Sequence, residues 1–230
     1  MEAASGGPPA FPGPAFVGPA RDCLLCARLV EFRQRQRIAC PDWHNAPVPS
    51  FGGLDAKLLI VGLAPGLKGA NRTGRPFTGD YAGDLLYATL RKFGLAEGTY
   101  TQRPDDGLSL QGARITNAVR CVPPENKPTP GEERNCRPFL VNEMAAMPNL
   151  GVVMALGAIA HNSVLAALGQ KRSAFPFRHG AEHELVSAGS GRPLVLADSY
   201  HCSRYNTNTG KLTTEMFESV VARIVQRLGF

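Results

Sequence analysis

The sequence predicts an α/β fold, a three-layer sandwich in which a mostly parallel central sheet lies between helices. Short branched-apolar runs of strand length occur at residues 57–63, 114–119, 151–156 and 193–197. Segments with helical spacing alternate with them, as crossover connections between parallel strands require. A length of 230 residues, 43% of them apolar, suits one large core.

In chain order, residues 1–20 are rich in Gly, Pro and Ala and read as a mobile extension, leaving 21–230 as a single domain. The run at 57–63 is the first strand. Leu85, Leu86, Leu90 and Phe93 then recur at helical spacing, and Gly94 offers a stop. Residues 97–113 read as a surface excursion before the strand at 114–119. Four prolines make 121–130 irregular. Thr129 can cap the next helix, Pro130 suits its first position, and Glu132 completes a capping box, with the helix running to about residue 147. A buried-type strand at 151–156, a helix at 158–168 and a strand at 193–197 follow. Leu212, Met216, Val220, Ile224 and Leu228 mark an amphipathic C-terminal helix.

The net charge of +6 permits attraction to nucleic acid without requiring it. The basic residues are dispersed, so any such surface must be assembled by folding. No apolar run approaches the length of a membrane span. The N-terminus lacks the pattern of a secretory signal, so a reducing cytoplasm is expected.

Strand 57–63 leads into a glycine-rich loop at 62–80. Gly-x-Gly-x-x-Gly is absent, and Lys68 lacks the glycine before it and the Ser or Thr after it that a Walker A loop needs. Phe77 and Asp80 instead place a flat ring and a carboxylate beside open backbone, which suits a small planar ligand. Two further loops, one at Asn117 and one at 199–210, leave strands at the same sheet edge, where open α/β sheets bind ligands. One crevice is therefore expected.

The six cysteines are Cys23, Cys26, Cys40, Cys121, Cys136 and Cys202. The pair Cys23-x-x-Cys26 with Cys121 and Cys136 could enclose a metal. Spacing alone leaves four readings open: ordinary thiols, a four-cysteine zinc site, an iron–sulfur cluster, or a redox pair. The wide second spacing leans toward the bulkier cluster.

Three motifs, in order, carry a resemblance. They are GLAPG at 62–66 continued by NRTGRPFTGD at 71–80, then TNAVRCVPPENKPT at 116–129, then SYHCSRYNTNTGKLT at 199–213. With the cysteines, they make residues 20–225 resemble the iron–sulfur uracil-DNA glycosylases of type B, or family 5. The chain departs at two points: Leu63 stands where the type A group has glutamate, and His201-Cys202-Ser203 replaces the His-Pro-Ser of many relatives.

The resemblance implies a structural 4Fe-4S cluster on Cys23, Cys26, Cys121 and Cys136. It implies hydrolysis of the N-glycosidic bond of uracil, and of other deaminated bases such as hypoxanthine, in double-stranded DNA; separately, a monomer is expected. A base must be flipped out for this chemistry. Phe77 is the candidate stacking platform, though a phenylalanine is as readily a core residue. Asn117 can read the base edge and take part in the chemical step, though asparagine at a strand end often only caps a turn. His201 is the candidate donor to the departing base, against a plain loop histidine. Asp80 is the candidate for orienting water, with Asp84 as rival. Gly62, Ala64, Pro65 and Gly66 would approach the base through backbone. Lys68, Arg72, Arg75, Ser203, Arg204, Tyr205 and Lys211 are candidate DNA contacts. A cluster-carrying redox protein and a non-enzymatic nucleic-acid binder are the rival functions.

Overall fold

A computed structural model describes residues 16–186 and 191–230. Its main sheet has five strands: β1 (Leu58–Gly62), β4 (Ala113–Asn117), β5 (Val152–Leu156), β6 (Glu182–Val186) and β7 (Pro193–Ser199), in the order β4-β1-β5-β7-β6. All neighbours are parallel except β6, which runs antiparallel to β7. A separate small ribbon pairs β2 (Ala96–Glu97) with β3 (Ser109–Leu110).

Alternation along the strands builds the three layers. Leu58 and Ile60 face one core, covered by α3 (Tyr81–Lys92) and α7 (Thr214–Leu228). Leu59 and Val61 face the other, covered by α4 (Pro130–Ala145) and α5 (Ala158–Ala167). The capping box of α4 forms as expected: Glu132 N–H donates to Thr129 Oγ1, and Thr129 N–H donates to Glu132 Oε2 at 2.7 Å. Gly94 takes φ +72° just beyond α3, a conformation that glycine adopts at little cost.

Six elements lacked a clear sequence signal, the two-residue strands β2 and β3 among them. Helix α1 (Ala27–Ala39) buries only Leu29 and Arg33, so it carries no apolar stripe. Strand β6 buries only Leu185 and reads as a polar stretch. Helices α2 (Ala70–Thr73) and α6 (Arg204–Asn208) are single turns. Residues 1–15 of the expected mobile extension lie outside the described residues. Within residues 16–20, the Phe16 ring lies under the Arg114 and Arg120 guanidinium groups at 5.5 and 5.9 Å, and Pro19 lines a pocket with the cysteines.

Arg114 and Arg120 flank the end of β4 and converge on Glu143 of α4, which is fully buried. Arg114 Nε donates to Glu143 Oε1 at 2.6 Å, and Arg120 Nη2 donates to Oε2. Burial works to raise the Glu143 carboxyl, but the two guanidinium groups outweigh it and hold it below the usual carboxylate range. Its contribution is then complete above the ordinary glutamate range and is lost as pH falls through the depressed value. Glu143→Gln should cost roughly 3–5 kcal/mol at pH 7, because two buried cations lose their partner. Urea unfolding of both proteins at pH 7 and pH 3 is the check, and the gap between them should narrow at the lower pH.

Candidate active site

The parallel register sets Gly62 beside Asn117 at the carboxyl edge of the sheet, and Leu156 beside Ser199. The three loops leaving β1, β4 and β7 there close around one cavity of about 580 Å³. Its wall includes Ala64, Pro65, Gly66, Phe77, Asp80, Asn117 and His201. The volume is of the size that holds a small planar molecule.

Each side chain has a local reason for its place. Phe77 adopts φ +51°, which is costly for a phenylalanine, and its ring lies 5.8 Å from that of His201 at 31°. Gly62 lies beneath the cavity wall. A Cβ there would collide with Asn117 Oδ1 and come within 2.7 Å of Phe77 Cζ. Asp80 sits over Gly69 and Gly66, and a Cβ on Gly69 would meet its Cγ at 2.8 Å. Asn117 is 3% exposed, and its amide makes no hydrogen bond to another described residue.

Asp80 precedes α3 but forms no side-chain capping bond, and its Oδ1 is buried without a partner among the described residues. Burial raises its carboxyl above the usual range, opposed by the amides of Gly83 and Ala82 at the start of α3. Asp84 faces a separate groove and accepts from Gln102 Nε2 at 2.7 Å. Burial lowers His201 to about 4, so its imidazole is neutral at physiological pH. Its backbone carbonyl accepts from Asn206 Nδ2 at 2.8 Å, which fixes the loop and leaves the ring facing the cavity.

Lys68, Ser203 and Arg204 line the cavity mouth, and the Arg204 guanidinium lies 5.2 Å from the Tyr81 ring. Tyr205 is 74% exposed beside them. Lys211 rests on the Tyr200 ring at 4.9 Å, and Arg72 faces a neighbouring groove with Trp43 and His44. Arg75 departs from its expected place. It is 5% exposed and pairs with Asp106 through two bonds of 2.8 and 2.9 Å, so it has no free face for phosphate. Tyr81 and Asn126 also line the cavity and were not singled out from sequence. Asn126 lies within the second motif, but its position depends on left-handed φ angles at Glu125 and Asn126 that a proline-rich loop does not advertise.

Cys23, Cys26, Cys121 and Cys136 line one small pocket with Leu29, Arg33 and Phe139. Cys202 is buried in the core and Cys40 follows α1, both away from it. Three N–H groups point at the sulfurs: Arg33 Nη1 to Cys121 at 3.6 Å, Arg120 N to Cys136 at 3.3 Å, and Asn135 Nδ2 to Cys26 at 3.5 Å. Arg33 is 3% exposed and its Nε has no partner among the described residues. A buried cation among thiols fits an anionic thiolate–metal group.

The packing around Gly62 yields a test. Gly62→Ala should destabilise the protein by roughly 1–3 kcal/mol through overpacking, and should displace Phe77 and Asn117. Urea unfolding measures the first effect. A crystal structure of the variant shows the second.

The model of the uracil DNA glycosylase superfamily matches residues 49–225. The chain is 47% identical to the type-5 uracil-DNA glycosylase of Thermus thermophilus, over 90% of this chain and 94% of that protein. It is 39% identical to the type-5 uracil-DNA glycosylase of Pyrobaculum aerophilum, over 93% and 92%. A type-4 uracil-DNA glycosylase of Thermotoga maritima is 36% identical over 57% of this chain and 62% of that protein. With its strands, loops and cavity arranged as described, the chain belongs to the uracil DNA glycosylase superfamily.

Proposed function

We propose that this chain removes uracil, and other deaminated bases such as hypoxanthine, from double-stranded DNA by hydrolysing the N-glycosidic bond. One observation carries the reading. Phe77, Asn117, His201 and Asp80 line a single cavity, and one oxygen of Asp80 is buried without a partner among the described residues.

Phosphates meet Lys68, Arg72, Ser203, Arg204, Tyr205 and Lys211, which orient the duplex without reading sequence. The flipped base stacks on Phe77. The Asn117 amide both donates and accepts, matching the donor–acceptor edge of uracil. As the bond to C1′ breaks, its electron pair moves to the base. The neutral His201 donates a hydrogen bond to the base carbonyl where that charge grows, a contact that strengthens in the transition state. Asp80 stabilises the positive sugar, and its carboxylate orients the water that adds to C1′, whose released proton goes to the departing base anion. Backbone at Ala64, Pro65 and Gly66 closes the pocket around the base, and Gly62 leaves room beneath it for Asn117 and Phe77. The apolar Leu63 and small Gly66 leave room for a purine such as hypoxanthine.

Cys23, Cys26, Cys121 and Cys136 would hold a 4Fe-4S cluster. When bound, it supplies a structural tie between the chain before α1, the loop after β4, and α4. The protein is proposed to act as a monomer in the cytoplasm. No described helix is long and apolar enough to cross a membrane.

Incubation with a duplex bearing one uracil, followed by alkaline cleavage, should give breaks at that position alone. Intact strands would defeat the reading. Asp80→Asn should lower the single-turnover rate by roughly 10²-fold or more while leaving affinity for uracil-free duplex unchanged. Asp84→Asn should change it by less than about 1 kcal/mol. A reversed order of these two effects would move the role to Asp84.

Protein prepared without oxygen should be brown and contain about four iron atoms per chain. Replacing Cys40 or Cys202 should leave that content intact. Stoichiometric zinc with negligible iron would refute the cluster.

A further inference from the structure

We propose that Asp106, on the connection between β2 and β3, is a positioning residue for base excision: through Arg75 it holds Phe77 in the backbone conformation that presents its ring to the flipped base. The proposal rests on the stacking role given to Phe77 above. It assigns a purpose to a segment that reads as a surface excursion.

The observations run outward from Phe77. Its left-handed φ of +51° is of a kind that persists only when its surroundings impose it. Three consecutive residues are gripped. Tyr87 OH donates to Pro76 O at 2.7 Å, Tyr100 OH donates to Phe77 O at 3.1 Å, and Arg75 Nε donates to Thr78 Oγ1 at 2.8 Å. The Arg75 guanidinium lies against the rings of Phe51, Tyr87 and Tyr100 at 5.1, 5.6 and 5.9 Å, so it also fixes the two tyrosines.

Arg75 in turn depends on Asp106, whose side chain is 1% exposed. The carboxylate accepts both terminal nitrogens of Arg75, and also Thr101 N–H at 2.9 Å and Leu108 N–H at 3.1 Å. Burial works to raise Asp106, but these donors together outweigh it and hold the carboxyl at about 2. The clamp is therefore charged at every pH at which the protein would act. Gly83 completes the fit, since a Cβ there would strike Phe77 O and Tyr100 OH. Asp106 touches no part of the cavity wall, so its influence on a bound base must pass through Arg75 and residues 76–78.

Asp106→Asn keeps the shape and removes the charge. Tyr100→Phe removes only the bond to Phe77 O and serves if the first variant does not fold. Two measurements decide. Hydrogen exchange should quicken at residues 75–80 in both variants and stay unchanged in α7. The single-turnover rate on a uracil duplex should fall roughly 10²-fold for Asp106→Asn and roughly 10-fold for Tyr100→Phe. Affinity for uracil-free duplex should not move. In a Phe77→Ala background the same substitutions should lower the rate by less than about threefold, because the ring they position is gone. Unchanged exchange at 75–80, or the full rate loss in the Phe77→Ala background, overturns the proposal. If the unaltered protein releases no uracil, the functional reading fails by itself, and the exchange data still decide whether the clamp exists.

Discussion

Glu143, fully buried between Arg114 and Arg120, is the contact on which most of the site depends. Three charges have left water, so they are tolerable only together. Arg114 lies within β4 and Arg120 just past its end, so the pair straddles Asn117. Glu143 belongs to α4, the helix that also carries Cys136. The same ion cluster therefore fixes the strand end that presents the base-reading amide and the helix that presents a sulfur. Arg120 extends the link further, because its backbone N–H points at Cys136 and its Nη1 donates to Ser50 Oγ at 2.7 Å.

Around the cavity the constraint is steric. Side chains sit over positions that have no side chain of their own: Asn117 and the Phe77 ring over Gly62, Asp80 over Gly69. Removing water from these groups leaves their polar atoms facing the cavity, where a ligand or a held water becomes their natural partner. This explains how a carboxylate oxygen without a bond and an imidazole shifted to about 4 persist in a stable protein. Such groups weaken the fold locally while the two cores on either side of the sheet supply the stability.

Much of this was legible in the residues. The apolar runs marked the four parallel strands, and the edge-of-sheet rule brought Phe77, Asp80, Asn117 and His201 to one crevice. The capping box at Thr129 was readable because all its atoms lie within four residues. Two of the misses depend on partners far away in sequence, and a third on local backbone conformation. Arg75 looks like a phosphate contact in a basic loop until Asp106 is placed against it. Helix α1 has no stripe because its inward face, Leu29 and Arg33, meets the cysteine pocket rather than a broad apolar core. Asn126 enters the cavity only because two left-handed residues turn the loop inward.

The two borders of the main sheet are treated differently. At β4, the chain before the sheet lies alongside, with Phe51 and Ile115 exchanging backbone hydrogen bonds of 2.9 and 2.7 Å. At β6, the strand is polar, and its outward Glu182 and Glu184 are tied to Arg223 and Arg227 of α7. One border is thus capped by the chain itself and the other is fenced with fixed charge. A sheet finished in this way makes a poor template for strand addition, the usual route to self-association in open-edged folds. The protein can therefore work at high local concentration without its own sheets pairing edge to edge.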